Sequence, residues 1–377
     1  MRPGCGRVRQ SRRLLLTMLW LLVPAALFLA FSNGANDNFK GFATVWGTET
    51  LSYRFALSLA TLATLAGSVA SVLLSGELLQ SFSGAGLVPD QIAAGPNFAS
   101  AVAVGAAITV MTATRLGFPI STTHALIGGM IGAGLSMNTS SLDFNILAGK
   151  FLLPLLVSPL LAAALGVLGY GLLRRRKLDA DCVCLVDRSF VEAPALGMFR
   201  TVPDPVLVVA SAEHCDALAV PTSRWSIPLL MDRAHVLSAT SICFARSLND
   251  TPKLAALLLV AQLSGAGSML LVAIAMAAGG LLFARRVAET MSRRLNHMDP
   301  PQGLSANLIT AALVLCASDF GLPVSTTHVS VGSIVGVGLT TSTTDLAVLR
   351  NVLLSWVATL PMAAIIASAA AQVLAAL

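Results

Sequence analysis

An eight-residue stretch occurs twice in this chain, and that duplication constrains its fold more than any other feature. The first copy reads Gly117-Phe118-Pro119-Ile120-Ser121-Thr122-Thr123-His124, and the second reads Gly321-Leu322-Pro323-Val324-Ser325-Thr326-Thr327-His328. The similarity runs on downstream, where Gly128, Gly132 and Gly134 recur as Gly332, Gly336 and Gly338. In each copy three hydroxyl side chains follow a proline and open an apolar, glycine-rich segment of helical character. A helix start presents free backbone N–H groups and the positive end of the dipole, which favour an anion. Ser and Thr there either cap those N–H groups or donate their own protons to a bound oxyanion. One copy alone reads as an N-cap. Two copies in a chain this apolar point to a paired binding element.

The surrounding sequence fixes the solvent. The chain has 377 residues, 55% hydrophobic and 11% charged, with a mean hydropathy of +0.80. Soluble domains carry roughly 25% charged residues, so this composition belongs to an integral membrane protein. The apolar sequence falls into many separate runs, as in a helical bundle and not a barrel. The formal charge of +6 does not imply nucleic acid, because the basic residues flank apolar runs: Arg12 and Arg13, Arg174 to Lys177, Arg285 and Arg286, Arg293 and Arg294. Loop anchors at the membrane surface have this distribution. Cys182, Cys184, His214 and Cys215 fit no zinc spacing and read as ordinary loop residues.

Residues 1–13 form a basic leader before an apolar run from Leu14 to Phe31. The run passes straight into polar, patterned sequence, so it reads as a first, interrupted membrane helix and not as a cleaved signal peptide. Further runs cover about 51–75, 95–114, 120–137 and 146–173, then 234–248, 253–284, 304–318, 324–340 and 347–376. The run at 120–137 is short for a span, so a half-helix or re-entrant segment is expected there. Residues 174–232 are rich in proline and balanced in charge, with β-like runs at Cys182–Val186 and Val206–Ala210. The expected organisation is a first membrane repeat over 14–173, a hydrophilic loop or small insert over 174–232, and a second membrane repeat over 233–377. The expected fold is an all-α polytopic membrane protein of about 10–12 segments, built as two inverted repeats with interrupted helices, an arrangement typical of secondary transporters. Arginine groups beside both the N-terminus and the central loop leave the orientation open, with the weight on a cytoplasmic central loop.

A second duplicated pattern accompanies the first. Asn33-Gly34-Ala35-Asn36-Asp37-Asn38-Phe39-Lys40 matches Arg246-Ser247-Leu248-Asn249-Asp250-Thr251-Pro252-Lys253, with Asn-Asp-x-x-Lys common to both. A carboxylate within a membrane is expensive unless paired, which makes Asp37 and Asp250 candidates for function. Asp and Lys three apart share a helix face, so a salt bridge is one reading. A cation or proton site is the other, since carboxylate and amide oxygens are hard ligands suited to sodium.

Gly34-Ala35-Asn36-Asp37 and the two Pro-x-Ser-Thr-Thr-His motifs together resemble the PiT family of inorganic phosphate transporters. The resemblance covers both membrane halves. It implies a phosphate carrier, not an enzyme, with Ser121, Thr122, Thr123, Ser325, Thr326 and Thr327 at the substrate and Asn36, Asp37, Asn249 and Asp250 serving the coupling ion. It implies no cofactor beyond that ion, Na⁺ or H⁺. The chain departs from the family where Asn-Asp-Val-Ala-Asn places an amide three residues after Asp; here Lys40 and Lys253 stand at those positions. Each ammonium either takes a sodium's place beside the anion or pairs with its Asp, and both outcomes move weight from sodium to proton coupling. We therefore count Lys40 and Lys253 among the phosphate-binding candidates.

Arg115 and Asp319 occupy matching places before each Gly-x-Pro. Arginine suits a phosphate oxygen pair, although mutual neutralisation or solvent exposure accounts for the two equally simply. His124 and His328 either relay protons or hold the hydroxyl loops in place. The partners called for are inorganic phosphate, a coupling cation and the lipid bilayer of the plasma membrane. A homodimer is left open, and nucleic acid has no place. The alternative substrate is another tetrahedral oxyanion such as sulfate. A remote alternative is an intramembrane hydrolase pairing Ser121 with His124.

Overall fold

The computed structural model describes residues 5–74, 79, 82–84, 86–137, 142–174, 182–186, 190–192, 199–201, 206–211, 213, 223–263, 265–322 and 324–376. Ten long helices dominate the described residues. Five precede the central strands: α1 (Cys5–Asp37), α2 (Tyr53–Leu74), α3 (Pro96–Leu116), α4 (Thr122–Met137) and α5 (Leu153–Arg174). Five follow them: α6 (Ile227–Ala255), α7 (Ala266–Phe283), α8 (Pro300–Asp319), α9 (Thr326–Thr341) and α10 (Leu346–Ala376). Six helices are long and apolar enough to cross a membrane by length and composition. Helices α1 and α6, of 33 and 29 residues, are not among these six, and both carry the polar Asn-Asp stretches. Helices α4 and α9 have 16 residues each, short of the roughly 20 that a span needs. Bulky apolar side chains remain exposed on the outer helices, among them Leu62, Leu160, Leu282 and Ile365, as expected of a surface that faces lipid.

Two boundaries differ from the hydropathy reading. The first helix is uninterrupted from Cys5 to Asp37 and breaks only after the Asn-Asp pair, in a 3-10 turn at Lys40–Phe42 and a short helix at Ala43–Gly47. The apolar run 253–284 is not one helix, because α6 ends in a 3-10 segment at Ala256–Ala261 before α7 begins. Gln262 there adopts φ 57°, and Glu49, at the matching place in the first half, adopts φ 60°. Left-handed backbone is unusual for such residues, and in both halves it follows the short helical segment beyond the Asn-Asp stretch.

The helices pack by a simple rule. Helix α1 packs on α3 and α7, while α6 packs on α8 and α2. Helix α4 lies along α10, and α9 lies along α5. Each of these contacts becomes another when α1–α5 are exchanged with α6–α10, and each half lays its short helix against a long helix of the other half. Glycines allow the close approach. A Cβ on Gly132 would overlap the Ala364 carbonyl oxygen, and one on Gly336 would overlap that of Ala163. Small residues at such crossings are the usual means of helix association in lipid, where the hydrophobic effect no longer drives it.

Between the halves, β1 (Cys182–Val186) pairs antiparallel with both β4 (Val206–Ala210) and β5 (Ser223–Ser226), and β2 (Phe190–Glu192) pairs with β3 (Phe199–Thr201). Strands β1 and β4 coincide with the two β-like runs of the sequence. His214 and Cys215 lie outside the described residues.

Candidate functional site

Both hydroxyl motifs lead into helix N-termini by the same construction. Helix α3 ends at Gly117, whose φ of 80° forms a left-handed C-cap; Gly321 repeats this after α8 with φ 64°. A glycine adopts this conformation without a Cβ penalty, which frees the chain to turn at once into the motif. Ser121 Oγ accepts from the His124 backbone N–H at 3.2 Å, and Ser325 Oγ accepts from that of His328 at 3.2 Å. The first hydroxyl of each motif is therefore the N-cap of its helix, with its own proton still available to donate. The next two, Thr122–Thr123 and Thr326–Thr327, are buried at the helix starts.

The Asn-Asp stretches brace these loops. Asn36 Nδ2 donates to Thr114 Oγ1 at 2.9 Å and to the Phe118 carbonyl at 3.0 Å, and Asn36 Oδ1 accepts from the Ile120 N–H at 3.2 Å. Asn249 Nδ2 donates to Ser318 Oγ at 3.0 Å, the residue matching Thr114. Both asparagines thus tie a discontinuous helix to the turn before a hydroxyl motif.

Between the two motifs lies a fully buried ionic cluster. Asp37, Lys40, Arg246, Asp250 and Lys253 are the buried Asp, Glu, Lys and Arg side chains among the described residues, none more than 5% exposed. Lys40 pairs with Asp37 and Lys253 with Asp250 at 3.5 Å. Lys40 Nζ also donates to Thr327 Oγ1 at 2.5 Å, across the boundary between the halves. Lys253 Nζ answers with Thr123 Oγ1 at 3.1 Å. The Asp–Lys pairing expected from the i,i+3 spacing is present, and each ammonium in addition joins its half to the hydroxyl motif of the other.

At the centre the symmetry breaks. Asn33 and Arg246 hold matching positions in the two stretches, and they touch, with Arg246 Nη1 donating to Asn33 Oδ1 at 3.3 Å. Asn33 Nδ2 lies 3.3 Å from Asp37 Oδ2, 3.3 Å from Asp250 Oδ2 and 3.0 Å from Thr122 Oγ1. One amide thus bridges the two carboxylates, whose mutual repulsion would otherwise be severe. Arg246 Nη1 lies 3.7 Å from Asp250, Nη2 donates to Thr64 Oγ1 at 2.7 Å, and the buried Nε has no hydrogen-bond partner among the described residues. Neither Asn33 nor Arg246 stood among the sequence candidates. The signal was present, because both lie three residues before a duplicated Asn, but their unlike side chains concealed the equivalence.

Two lysines and one arginine face two carboxylates, a formal excess of one positive charge. Beside two helix N-termini, a formal positive excess is the electrostatic setting that favours an anion.

The remaining candidates are placed differently. His124 and His328 meet ring to ring, 4.5 Å between centroids, and His328 stacks on Trp356 at 3.8 Å. Trp356 Nε1 in turn donates to the Pro119 carbonyl at 2.9 Å. Ser121 Oγ meets the backbone of His124, so the nucleophile–base pair of a hydrolase is not formed. Arg115 and Asp319 are both exposed. Arg115 lines an open cleft of about 590 Å³ together with Thr114, Arg285, Arg286 and Glu289.

Comparison with known proteins identifies the family. Residues 33–367 match the phosphate transporter family. Relatives from Mycobacterium bovis and Mycobacterium tuberculosis, each named "Probable low-affinity inorganic phosphate transporter", are 27% identical over 365 residues, spanning 93% of this chain and 76% of theirs. A solved structure titled "The sodium-dependent phosphate transporter" shares the fold with a TM-score of 0.75 and 22% identity, covering 96% of this chain and all of its own. With six helices among the described residues long and apolar enough to cross a bilayer and the family match over residues 33–367, this multi-pass membrane protein belongs to the phosphate transporter family.

Proposed function

We propose that the chain is a secondary active carrier that moves inorganic phosphate across the plasma membrane in symport with a cation, H⁺ or Na⁺. The observation that carries this reading is the buried cluster with one surplus positive charge at the start of both short helices. In this mechanism phosphate parts the central contacts of Asn33 and Arg246 and settles against the hydroxyls of Thr122, Thr123, Thr326 and Thr327. The capping serines Ser121 and Ser325 hold those helix starts open to it, and Lys40 and Lys253 flank it. The lysines, Arg246 and the accompanying cation keep Asp37 and Asp250 from facing the anion as bare charges. The two repeats, oriented oppositely, then move against each other to expose the site alternately to each side.

Phosphate retains a proton near neutral pH and donates it to a carboxylate, which sulfate does not. Purified protein in liposomes is therefore expected to take up labelled phosphate, with arsenate competing and sulfate failing to compete. Inhibition by sulfate as strong as by arsenate would give the site to oxyanions in general.

Arg246 is expected to orient the anion with its planar fork. Arg246→Lys keeps the charge and loses the fork, so KM for phosphate should rise by about tenfold or more, the loss of one charge-assisted hydrogen bond. An unchanged KM in the liposome assay would make Arg246 a structural cation only.

A further inference from the structure

The two lysine ammonium groups sit in a particular kind of environment. Lys40 Nζ is surrounded by Asn36 Oδ1 at 2.8 Å, an Asp37 carboxylate oxygen, the Ile120 carbonyl at 2.9 Å and Thr327 Oγ1 at 2.5 Å. Lys253 Nζ is surrounded by Asn249 Oδ1, Asp250 Oδ1 at 3.5 Å, the Val324 carbonyl at 3.0 Å and Thr123 Oγ1 at 3.1 Å. The two sets correspond member for member. Each has an amide oxygen four residues back, a carboxylate oxygen three back, the carbonyl before the motif serine, and the third hydroxyl of the opposite motif. An ammonium has three protons to donate, yet four oxygens converge on each nitrogen. Uncharged and anionic hard oxygens, from side chains and backbone, closing on one point from both halves of the chain, are the donor set of a small monovalent cation.

We infer that these are two cation sites filled permanently from within the chain, so that Lys40 and Lys253 supply the positive charge a bound sodium would otherwise bring. The inference rests on the phosphate-carrier reading and decides between its two coupling ions. Both lysines are at most 4% exposed and held on every side, with the Phe82 ring 5.6 Å from Lys253 Nζ adding a cation–π contact. A sodium ion forced to within about 4 Å of either ammonium loses binding by about a thousandfold at an effective dielectric constant of about 20. The donors that would hold sodium are already engaged, so sodium neither binds nor drives transport here, in contrast to the sodium-dependent protein that shares the fold. Of the two coupling ions, the proton remains.

The test uses the full chain in proteoliposomes, with labelled phosphate and external sodium, potassium or choline at equal ionic strength. The expected result is the same initial rate in all three. A rate that demands sodium overturns the inference and leaves phosphate transport standing, whereas no uptake under any condition removes the transport reading and the inference with it. A second measurement does not depend on transport. In the Lys40→Asn/Lys253→Asn double variant the cages regain an open centre, so sodium relative to choline should raise the melting temperature by about 5 °C, while the parent protein shows no shift. A double variant indifferent to sodium, or a parent protein stabilised by it, overturns the assignment.

Discussion

Asp37→Asn and Asp250→Asn should each bring phosphate uptake to background, a loss of at least about a hundredfold. Each substitution keeps the size of the side chain and removes the one anion that balances a buried ammonium. Lys40 would then face only the neutral oxygens of Asn36, Ile120 and Thr327, and Lys253 those of Asn249, Val324 and Thr123. Breaking a buried pair by removing one partner costs about 3–5 kcal/mol, enough by itself for a change of that size. The two aspartates also share Asn33, so the double variant should be scarcely worse than either single one. Initial uptake rates, normalised to the monodisperse protein recovered, make the measurement. Near-normal uptake by both single variants would sink the role given to the carboxylates.

Gly132→Leu and Gly336→Leu should fail through the fold and not through the chemistry. Neither glycine contacts the ionic cluster, yet a side chain on either one runs into the backbone of a helix from the opposite half, at Ala364 or Ala163. Backbone cannot step aside as a side chain end can, so α4 must separate from α10, or α9 from α5. Overpacking of this kind costs about 1–3 kcal/mol and sometimes more. A leucine against a carbonyl at a tight helix crossing belongs at the upper end. Melting of the detergent-solubilised protein should fall by many degrees, or the folded yield should collapse. Gly171→Ala serves as the control, since a Cβ there meets nothing within 4 Å and alanine favours the helix. Equal melting temperatures for Gly132→Leu and Gly171→Ala would show that the crossing carries little of the stability.

Much of the architecture was legible without coordinates, because lipid leaves few choices. With no water to satisfy backbone groups, apolar runs become helices, and the shortness of the run at 120–137 marked α4 as less than a full span, although the run at 304–318, shorter still, became the longer α8. The strands at Cys182–Val186 and Val206–Ala210 stood out as β-like by the same logic, since they lie where the apolar pattern stops. Helix ends were less legible. Hydropathy merges the end of α6, the 3-10 turn and α7 into one run, because only Gln262, Ser264 and Ser268 interrupt the apolar and glycine residues between Leu254 and Ala284. The break appears only in the backbone angles of Gln262 and Gly265.

The site divides along the same line. Duplication by itself determined that Asn36, Asp37, Ser121, Thr122 and Thr123 have counterparts, and that Asp and Lys share a helix face, because both facts are matters of spacing along one chain. Tertiary structure decided which of these groups meet. It assigned Ser121 and Ser325 to capping, left Arg115 and Asp319 at the surface, and set the His124 ring against that of His328. It also brought Asn33 and Arg246 together at the centre, where two different side chains in equivalent positions meet across the boundary between the halves. Above all, it carried Lys40 to Thr327 and Lys253 to Thr123, contacts between residues far apart in the chain. Spacing alone cannot foresee them, because they exist only once each half has laid its short helix against the other.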